Sequence, residues 1–441
     1  MQHISPSTQP VLRVGIMSGN AIDVTLHGTY LCDGTDTTGR IRFTARGMKS
    51  VESDCGQCAT SIRLIPTGNE CKFTLSNVTI GIGFHWQQHE NQTFEGMLEI
   101  ISDGNGQLHA INHIDVESYL LSVVSSEMNA NAPEEFLKAH AVISRSWVLA
   151  QIHPPLDLDR YSCTDTEEEC VRWYDKEAHR LFDVCADDHC QRYQGCTRAS
   201  TPQVASALKT TRGQVLTFDG ALCDARFSKC CGGITERFST CWQPVDTPYL
   251  QVLTDAEQQS QADCSAEHDA RRWIMSHPDA FCANPSDEVL ASILNNYDRD
   301  TPHLYRWSIS YTAAQLSDII RRRSGLDYGR IISLTVLHRG PSGRIDRLEI
   351  RGTRLTRIIG KELEIRRTLS ESHLYSSAFV AEPHDPDSEG IPTEWTLHGA
   401  GWGHGVGLCQ TGAAVMATKG YSYDIILSHY FPGTRISTLY R

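Results

Sequence analysis

Ile114-Asp-Val-Glu-Ser-Tyr-Leu-Leu-Ser-Val-Val-Ser-Ser-Glu-Met128 is the stretch whose reading decides the fold of this chain. Asp115 suits a helix N-cap, and behind it Val116, Tyr119, Leu120, Val123 and Val124 fall on one helical face. One more step of that spacing lands on Glu127, near the middle of the apolar stripe, which predicts a carboxylate turned inward or into a cleft. Desolvation makes a carboxyl hold its proton more tightly, as a general acid must near neutrality. Two plainer readings stand beside this one: the helix frays before Glu127, or Glu127 is salt-bridged to Arg145 on the next helix.

That next helix opens at Asn131-Ala-Pro-Glu-Glu135, with proline and acids in its first turn, and is expected over residues 136–151. It is apolar almost all round, as a buried core helix is, so its polar members Arg145 and Ser146 are expected to face Glu127 and a cleft. Upstream, residues 11–111 mostly alternate apolar and polar with turn residues between, a β-rich lead-in that ends on a hairpin turn at Asp103-Gly-Asn-Gly106. Cys55-Gly-Gln-Cys58 within it could be a redox pair or half a zinc site. No second such pair follows, so a local disulfide is the expectation.

Length and composition bound the rest. The 441 residues, 40% hydrophobic and 21% charged, are those of a globular protein with proper cores. A net charge of -13 argues against nucleic acid as the main partner. No apolar run approaches the roughly 20 residues of a membrane span. The first residues lack the features of a secretory leader, so the chain is expected to be either cytosolic or an exported protein whose leader is absent from this sequence. Sixteen cysteines favour export or a metal site.

Downstream of the two helices, His179, Cys185, His189 and Cys190 crowd one polar loop. Two thiols and two imidazoles can close a tetrahedral shell around zinc with no position left for water, which makes such a site structural. The alternative is that Cys185 and Cys190 join disulfides, with Cys163, Cys170 or Cys196 as partners, while both histidines sit on the surface. After a strand at residues 213–218 comes Cys230-Cys-Gly-Gly233, a ligand-contacting turn or an ordinary tight one. Residues 255–300 are acidic and read as a surface insertion with short helices and no assignable chemistry. An α+β unit follows: a strand at 307–311, a helix at 313–323, and a hairpin across Gly340-Pro-Ser-Gly343. The signature near the end is His398-Gly-Ala-Gly-Trp-Gly-His-Gly-Val-Gly-Leu-Cys-Gln-Thr-Gly412, which lacks the lysine and spacing of a phosphate loop. It offers exposed backbone with Trp402, His404 and Gln410 projecting, a set that suits a sugar. Helices at 413–419 and 423–430 close the chain.

Taken together, Asp115-Val-Glu-Ser-Tyr-Leu, Val123-Val-Ser-Ser-Glu-Met128, Leu137-Lys-Ala-His-Ala-Val-Ile-Ser-Arg-Ser-Trp147 and Gly401-Trp-Gly-His-Gly-Val-Gly-Leu-Cys-Gln-Thr-Gly-Ala413 resemble the stage II sporulation protein D family. The resemblance implies a lytic transglycosylase of peptidoglycan or an enhancer of cell-wall amidases, acting outside the cytoplasm on glycan strands. It implies Glu127 as the catalytic acid, structural zinc on His179, Cys185, His189 and Cys190, and glycan contacts from Arg145, Ser146, Ser228, Trp402, His404 and Gln410. Cys409, Thr411 and the Phe227 to Cys231 stretch depart from the family pattern. Three rivals stand against this: a hydrolytic muramidase with Asp224 or Glu236 as second carboxylate, a non-catalytic wall-binding amidase enhancer, and a zinc hydrolase. The expected architecture is α+β. A β-rich N-terminal region (1–112) is followed by catalytic helices, zinc loop and Gly-Gly turn (113–254), an acidic insertion (255–305), and a C-terminal α+β region (306–441) that completes a cleft.

Overall fold

The computed structural model describes residues 8–82, 87–129, 131–152, 163–174, 179–187, 189–197, 201–260, 262–293 and 304–441. Ten strands come first: β1 (Val11–Gly19), β2 (Ala21–Cys32), β3 (Thr35–Arg46), β4 (Ser50–Ser53), β5 (Cys58–Ala59), β6 (Ser61–Pro66), β7 (Lys72–Ile80), β8 (Gln88–Glu95), β9 (Met97–Ser102) and β10 (Leu108–Asp115). They form one large sheet in which β1 lies antiparallel to β10, with Val11 opposite Asp115. Alternation does the work here: in β2 the side chains of Ile22, Val24 and Leu26 are buried while Asp23 and His27 face out. The expected hairpin between β9 and β10 is present.

Because β10 ends at Asp115, the sheet itself launches the helix. Asp115 accepts hydrogen bonds from the Glu117 and Ser118 amides, and Val116 N–H donates to Pro10 O at 3.0 Å. Helix α1 (Val116–Glu127) buries the five apolar residues read from the sequence and continues to Glu127, so it does not fray early. Helix α2 (Glu134–Ile152) is buried on nearly every face, as its composition predicts.

A two-residue strand, Val184–Cys185, adds to the large sheet parallel to β1. The approach is close: a Cβ on Gly15 would lie 2.6 Å from the Phe182 ring. Beyond residue 304 the strand Arg306–Thr312 pairs with Pro392–Ala400, which pairs in turn with Phe379–Pro386. The hairpin Ile331–Arg339 and Ile345–Gly352 continues through Thr356–Gly360 to Glu169–Arg172. These elements enclose a second core around Leu348, Ile350, Trp395 and Leu397.

The last forty residues do not stay with that second core. Val406, Leu408, Ala413, Leu427 and Tyr430 pack into the first one with α1 and α2, and Arg435–Thr438 pairs with the strand Gln214–Phe218. The insertion also departs from expectation. It carries the two short helices Glu267–Met275 and Asp287–Ile293, yet Phe281, Cys282 and Ile293 are buried in the first core rather than lying on the surface. All sixteen cysteines carry free thiols, so the bridge expected between Cys55 and Cys58 is not formed; the Cys55 thiol instead turns to the Asp54 carboxylate at 3.6 Å. No helix among the described residues is long and apolar enough to cross a membrane.

Candidate functional site

Glu127 is the final residue of α1 and is half-buried. Its Oε1 accepts a hydrogen bond from the Arg192 backbone N–H at 2.8 Å. That amide belongs to a segment clamped along the helix. Tyr119 donates its hydroxyl to Gln191 Oε1 at 3.2 Å, Gln194 N–H donates to Ser122 Oγ at 3.0 Å, and the Tyr193 ring stacks on Tyr119 with centroids 5.0 Å apart. On the other side of Glu127, Asn129 is held by the insertion, its amide donating to Ile293 O and its side chain to Ala291 O.

The clamping segment follows directly on the four-residue metal set. His179, Cys185, His189 and Cys190 bring one ligand atom each within 4.8 Å of one another. His179 Nε2 lies 3.2 Å from both His189 Nδ1 and Cys190 Sγ. The Cys190 thiol donates toward Cys185, and this bond holds the Cys185 thiol well below its ordinary range despite burial. The donor set fits a closed tetrahedral ion of the zinc type. The loop is anchored between its first histidine and last cysteine, by the pairing of Cys185 with Gly15 and by the Asp187 carboxylate, which accepts from the Gly81 and Ile82 amides.

Arg145 does not face Glu127. It is fully buried and forms a bidentate pair with Glu117, at 2.9 Å from Nε and 2.7 Å from Nη2, while Nη1 donates to Gln214 O at 3.0 Å. Ser146 is equally buried, donating to Val142 O and accepting from the Leu216 amide. Both residues stitch α2 to its neighbours and reach no solvent, which corrects the expectation that they orient a sugar. Burial alone would raise the Glu117 carboxyl, but Arg145, Tyr440 and the Gly213 amide outweigh it and hold it below the usual range. The pair therefore stabilises the fold above the unfolded carboxyl value and loses that contribution as the pH falls. Glu117→Gln strands a buried guanidinium and is expected to cost about 3–5 kcal/mol in a denaturant titration. A shift in substrate affinity at unchanged stability would contradict this assignment.

The glycine-rich loop is laced along residues 226–236. Trp402 exchanges backbone hydrogen bonds with Cys230, Glu236 N–H donates to Gly405 O, and Phe227–Ser228 pairs in parallel with Leu408–Cys409. Its glycines are demanded by this packing: at Gly407, with φ of +72°, a Cβ would lie 2.1 Å from Arg226 O. Trp402 is half-buried against Tyr375, 4.8 Å between centroids. His404 accepts from the Val406 amide through Nδ1 and meets Trp242 edge-on; burial, then Arg226, Arg344 and Arg366, push its pKa well below the ordinary value. Gln410 turns inward, its Nε2 3.0 Å from His140 Nε2, and is 2% exposed, so it cannot serve as the projecting amide expected. The Ser228 hydroxyl is buried without a hydrogen-bond partner among the described residues.

His140 adds a pH dependence. Burial, and secondarily Lys229, push it down to about 3. Since the unfolded chain binds this proton near pH 6.5, the contribution is complete above that value and is lost as the pH falls, by roughly 1.4 kcal/mol per unit at most. Acid titration of stability is expected to flatten between about pH 6 and 4 in His140→Gln.

Sequence reasoning missed Lys229, whose Nζ lies 3.9 Å from Met128 Sδ and so links the residue after Glu127 to the strand paired with the glycine-rich loop. It also missed the Arg192 amide, since a backbone group leaves no trace in composition. Of the two carboxylates considered as partners of Glu127, Asp224 is held bidentately by Arg226, and Glu236 is fully buried under donors from Arg237, Thr240 and Ser342.

These features define an α+β protein in which a helix-terminal carboxylate is docked by the segment that follows a metal-capable loop, while the next residue, Met128, meets Lys229 beside the strand paired with the glycine-rich loop. Residues 104–218, which carry Glu127 and that metal loop, match the model of the Stage II sporulation protein family, and residues 236–407 match a domain of unknown function (DUF8618). Stage II sporulation protein D of Bacillus subtilis is 22% identical over 332 residues, 74% of this chain and 76% of its own. An uncharacterised protein of Brachyspira hyodysenteriae is 26% identical over 75% of this chain and 69% of its own. The amidase enhancer of Bacillus subtilis is 25% identical over 53% of this chain, which spans only 32% of that longer protein. The chain therefore carries a domain of the Stage II sporulation protein family and is similar to stage II sporulation protein D over three quarters of its length.

Proposed function

We propose that this protein is an extracytoplasmic lytic transglycosylase that cleaves the bond between N-acetylmuramic acid and N-acetylglucosamine in peptidoglycan. The observation that supports it is the placement of Glu127, a half-buried carboxylate fixed by the Arg192 amide at the end of a buried helix. A glycan strand docked over Glu127 removes its remaining water, which favours the protonated form. Glu127 then gives that proton to the leaving glycosidic oxygen as the bond to the muramic acid C1 breaks and an oxocarbenium-like centre develops. The 6-hydroxyl of the same sugar attacks C1 and returns its proton to the Glu127 carboxylate. One product ends in 1,6-anhydro-N-acetylmuramic acid, the other in a free 4-hydroxyl, and no water is consumed. Because the nucleophile belongs to the substrate, a single carboxylate suffices, and this agrees with the occupation of Asp224 and Glu236 by other partners.

Trp402 and Tyr375 supply an aromatic face for a sugar ring, whereas the Ser228 hydroxyl is buried and out of a glycan's reach, contrary to the contact expected of it. Zinc, held by His179, Cys185, His189 and Cys190, would keep the loop rigid enough to present the Arg192 amide. Digestion of glycan strands in heavy-oxygen water tests the reaction: products without label are expected, and label at new reducing ends would make the enzyme a hydrolase. The match to an amidase enhancer favours a second reading, in which the chain binds the wall and activates an amidase without cleaving glycan itself.

A further inference from the structure

Cys231, Asp255, Cys282 and Cys409 are far apart in the chain and meet in the interior. Their three sulfurs and a carboxylate oxygen lie within 4.8 Å of one another, and each residue is at most 2% exposed. The sulfurs of Cys231 and Cys282 are 3.6 Å apart. A disulfide would bring them to about 2.05 Å, whereas two thiolates on one tetrahedral zinc, each about 2.3 Å from it, sit about 3.8 Å from each other. The separation observed is too long for a disulfide, and it fits ligands sharing an ion as well as it fits a thiol–thiol hydrogen bond.

The surroundings are arranged for thiolates. Cys231 N–H donates to Cys409 Sγ at 3.2 Å, Gly233 N–H to Cys231 Sγ at 3.4 Å, and Gly412 N–H to Cys409 Sγ at 3.5 Å. Cys409 is the N-cap of the helix Gln410–Thr418, where the helix dipole favours a negative sulfur. Gly233, with φ of +100°, lets the backbone curl so that its own amide points back at Cys231. Asp255 is oriented by the Tyr430 hydroxyl at 2.6 Å and the Cys282 amide at 3.0 Å, a hydroxyl and an amide rather than a cation. Four acidic groups are thus packed together in the core with amides aimed at two of the sulfurs, and a divalent cation resolves their mutual repulsion.

We propose that Cys231, Asp255, Cys282 and Cys409 form a second, closed zinc site. Binding displaces three thiol protons and leaves three thiolates and one carboxylate on the ion, with no open position. The site ties the insertion, through Cys282, to the Gly-Gly turn and to the end of the glycine-rich loop. Since Cys409 pairs with Ser228, it also fixes the strand that leads into Lys229, beside Met128. Cys230 is also buried, with its thiol toward Cys282 and Cys409, but it is not one of the four whose ligand atoms all lie within 4.8 Å of one another.

The test is the metal content of the full chain purified under reductant. Two zinc ions per chain are expected in the wild type, one in Cys282→Ser and one in Asp255→Asn, with Cys190→Ser losing the other. X-ray absorption on the wild type needs no variant to fold: two sites give about 2.5 sulfurs per zinc on average, against about 2 for the loop site alone. One ion with about three sulfurs would support the interior site and remove the loop site. One ion with about two sulfurs, or a Cys231–Cys282 disulfide in non-reducing peptide mapping of protein purified without reductant, would overturn the proposal.

Discussion

Glu127→Gln is expected to reduce glycan cleavage by at least a factor of about 10² to 10⁴, the usual contribution of a positioned acid–base group, while leaving stability nearly unchanged. The amide is isosteric and still accepts the Arg192 N–H through its oxygen, so α1 and its clamp stay in place. What it lacks is a proton to give and a site to receive one back, and both halves of the reaction use the same oxygen pair. The loss should therefore fall on kcat rather than on affinity for glycan strands. A wall-binding activator would respond differently: its effect on a partner amidase would survive Glu127→Gln, and so would its binding to sacculi. A stability drop of several kcal/mol would instead mark Glu127 as a structural residue.

Removing one ligand of the loop, as in Cys190→Ser or His189→Ala, is expected to lower metal content by one ion and cleavage by about 10- to 100-fold. The route is mechanical. The loop leads straight into residues 191–194, whose amides and side chains hold α1 through Tyr119, Ser122 and Glu127. Once the ion is lost, hydrogen exchange should rise across residues 184–194 and in the last turn of α1 together with the fall in cleavage. Chelation should reproduce the effect at the same rate as the loss of protection. Cleavage abolished by chelation while residues 184–194 stay protected would mean that the ion itself takes part in chemistry, as in a zinc hydrolase.

Much of the first helix pair was legible because its determinants are local. Asp115 caps α1 from within the same few residues, and the apolar spacing of Val116 to Val124 is a property of one helix. The grouping of His179, Cys185, His189 and Cys190 was legible for the same reason, the four donors lying within a dozen residues. Arg145 was misread because its partner Glu117 is 28 positions away, and periodicity says which face is buried but not what waits there. The glycine-rich loop was read as backbone opened to a ligand, whereas Gly401, Gly405 and Gly407 are small because residues 226–232 and the Arg344 side chain press against them. Gln410 likewise looked like a projecting amide until the helix beginning there turned it onto His140. The insertion gave no sign that Cys282 and Asp255 reach the core, since their partners Cys231 and Cys409 are brought to them only by the tertiary fold.

The most direct measurement separates, by mass, the fragments released from purified glycan strands by the wild type and by Glu127→Gln at equal concentration. Anhydro-ended fragments from the wild type, with strands left intact by the variant, are predicted. Equal release by both proteins would contradict the role given to Glu127.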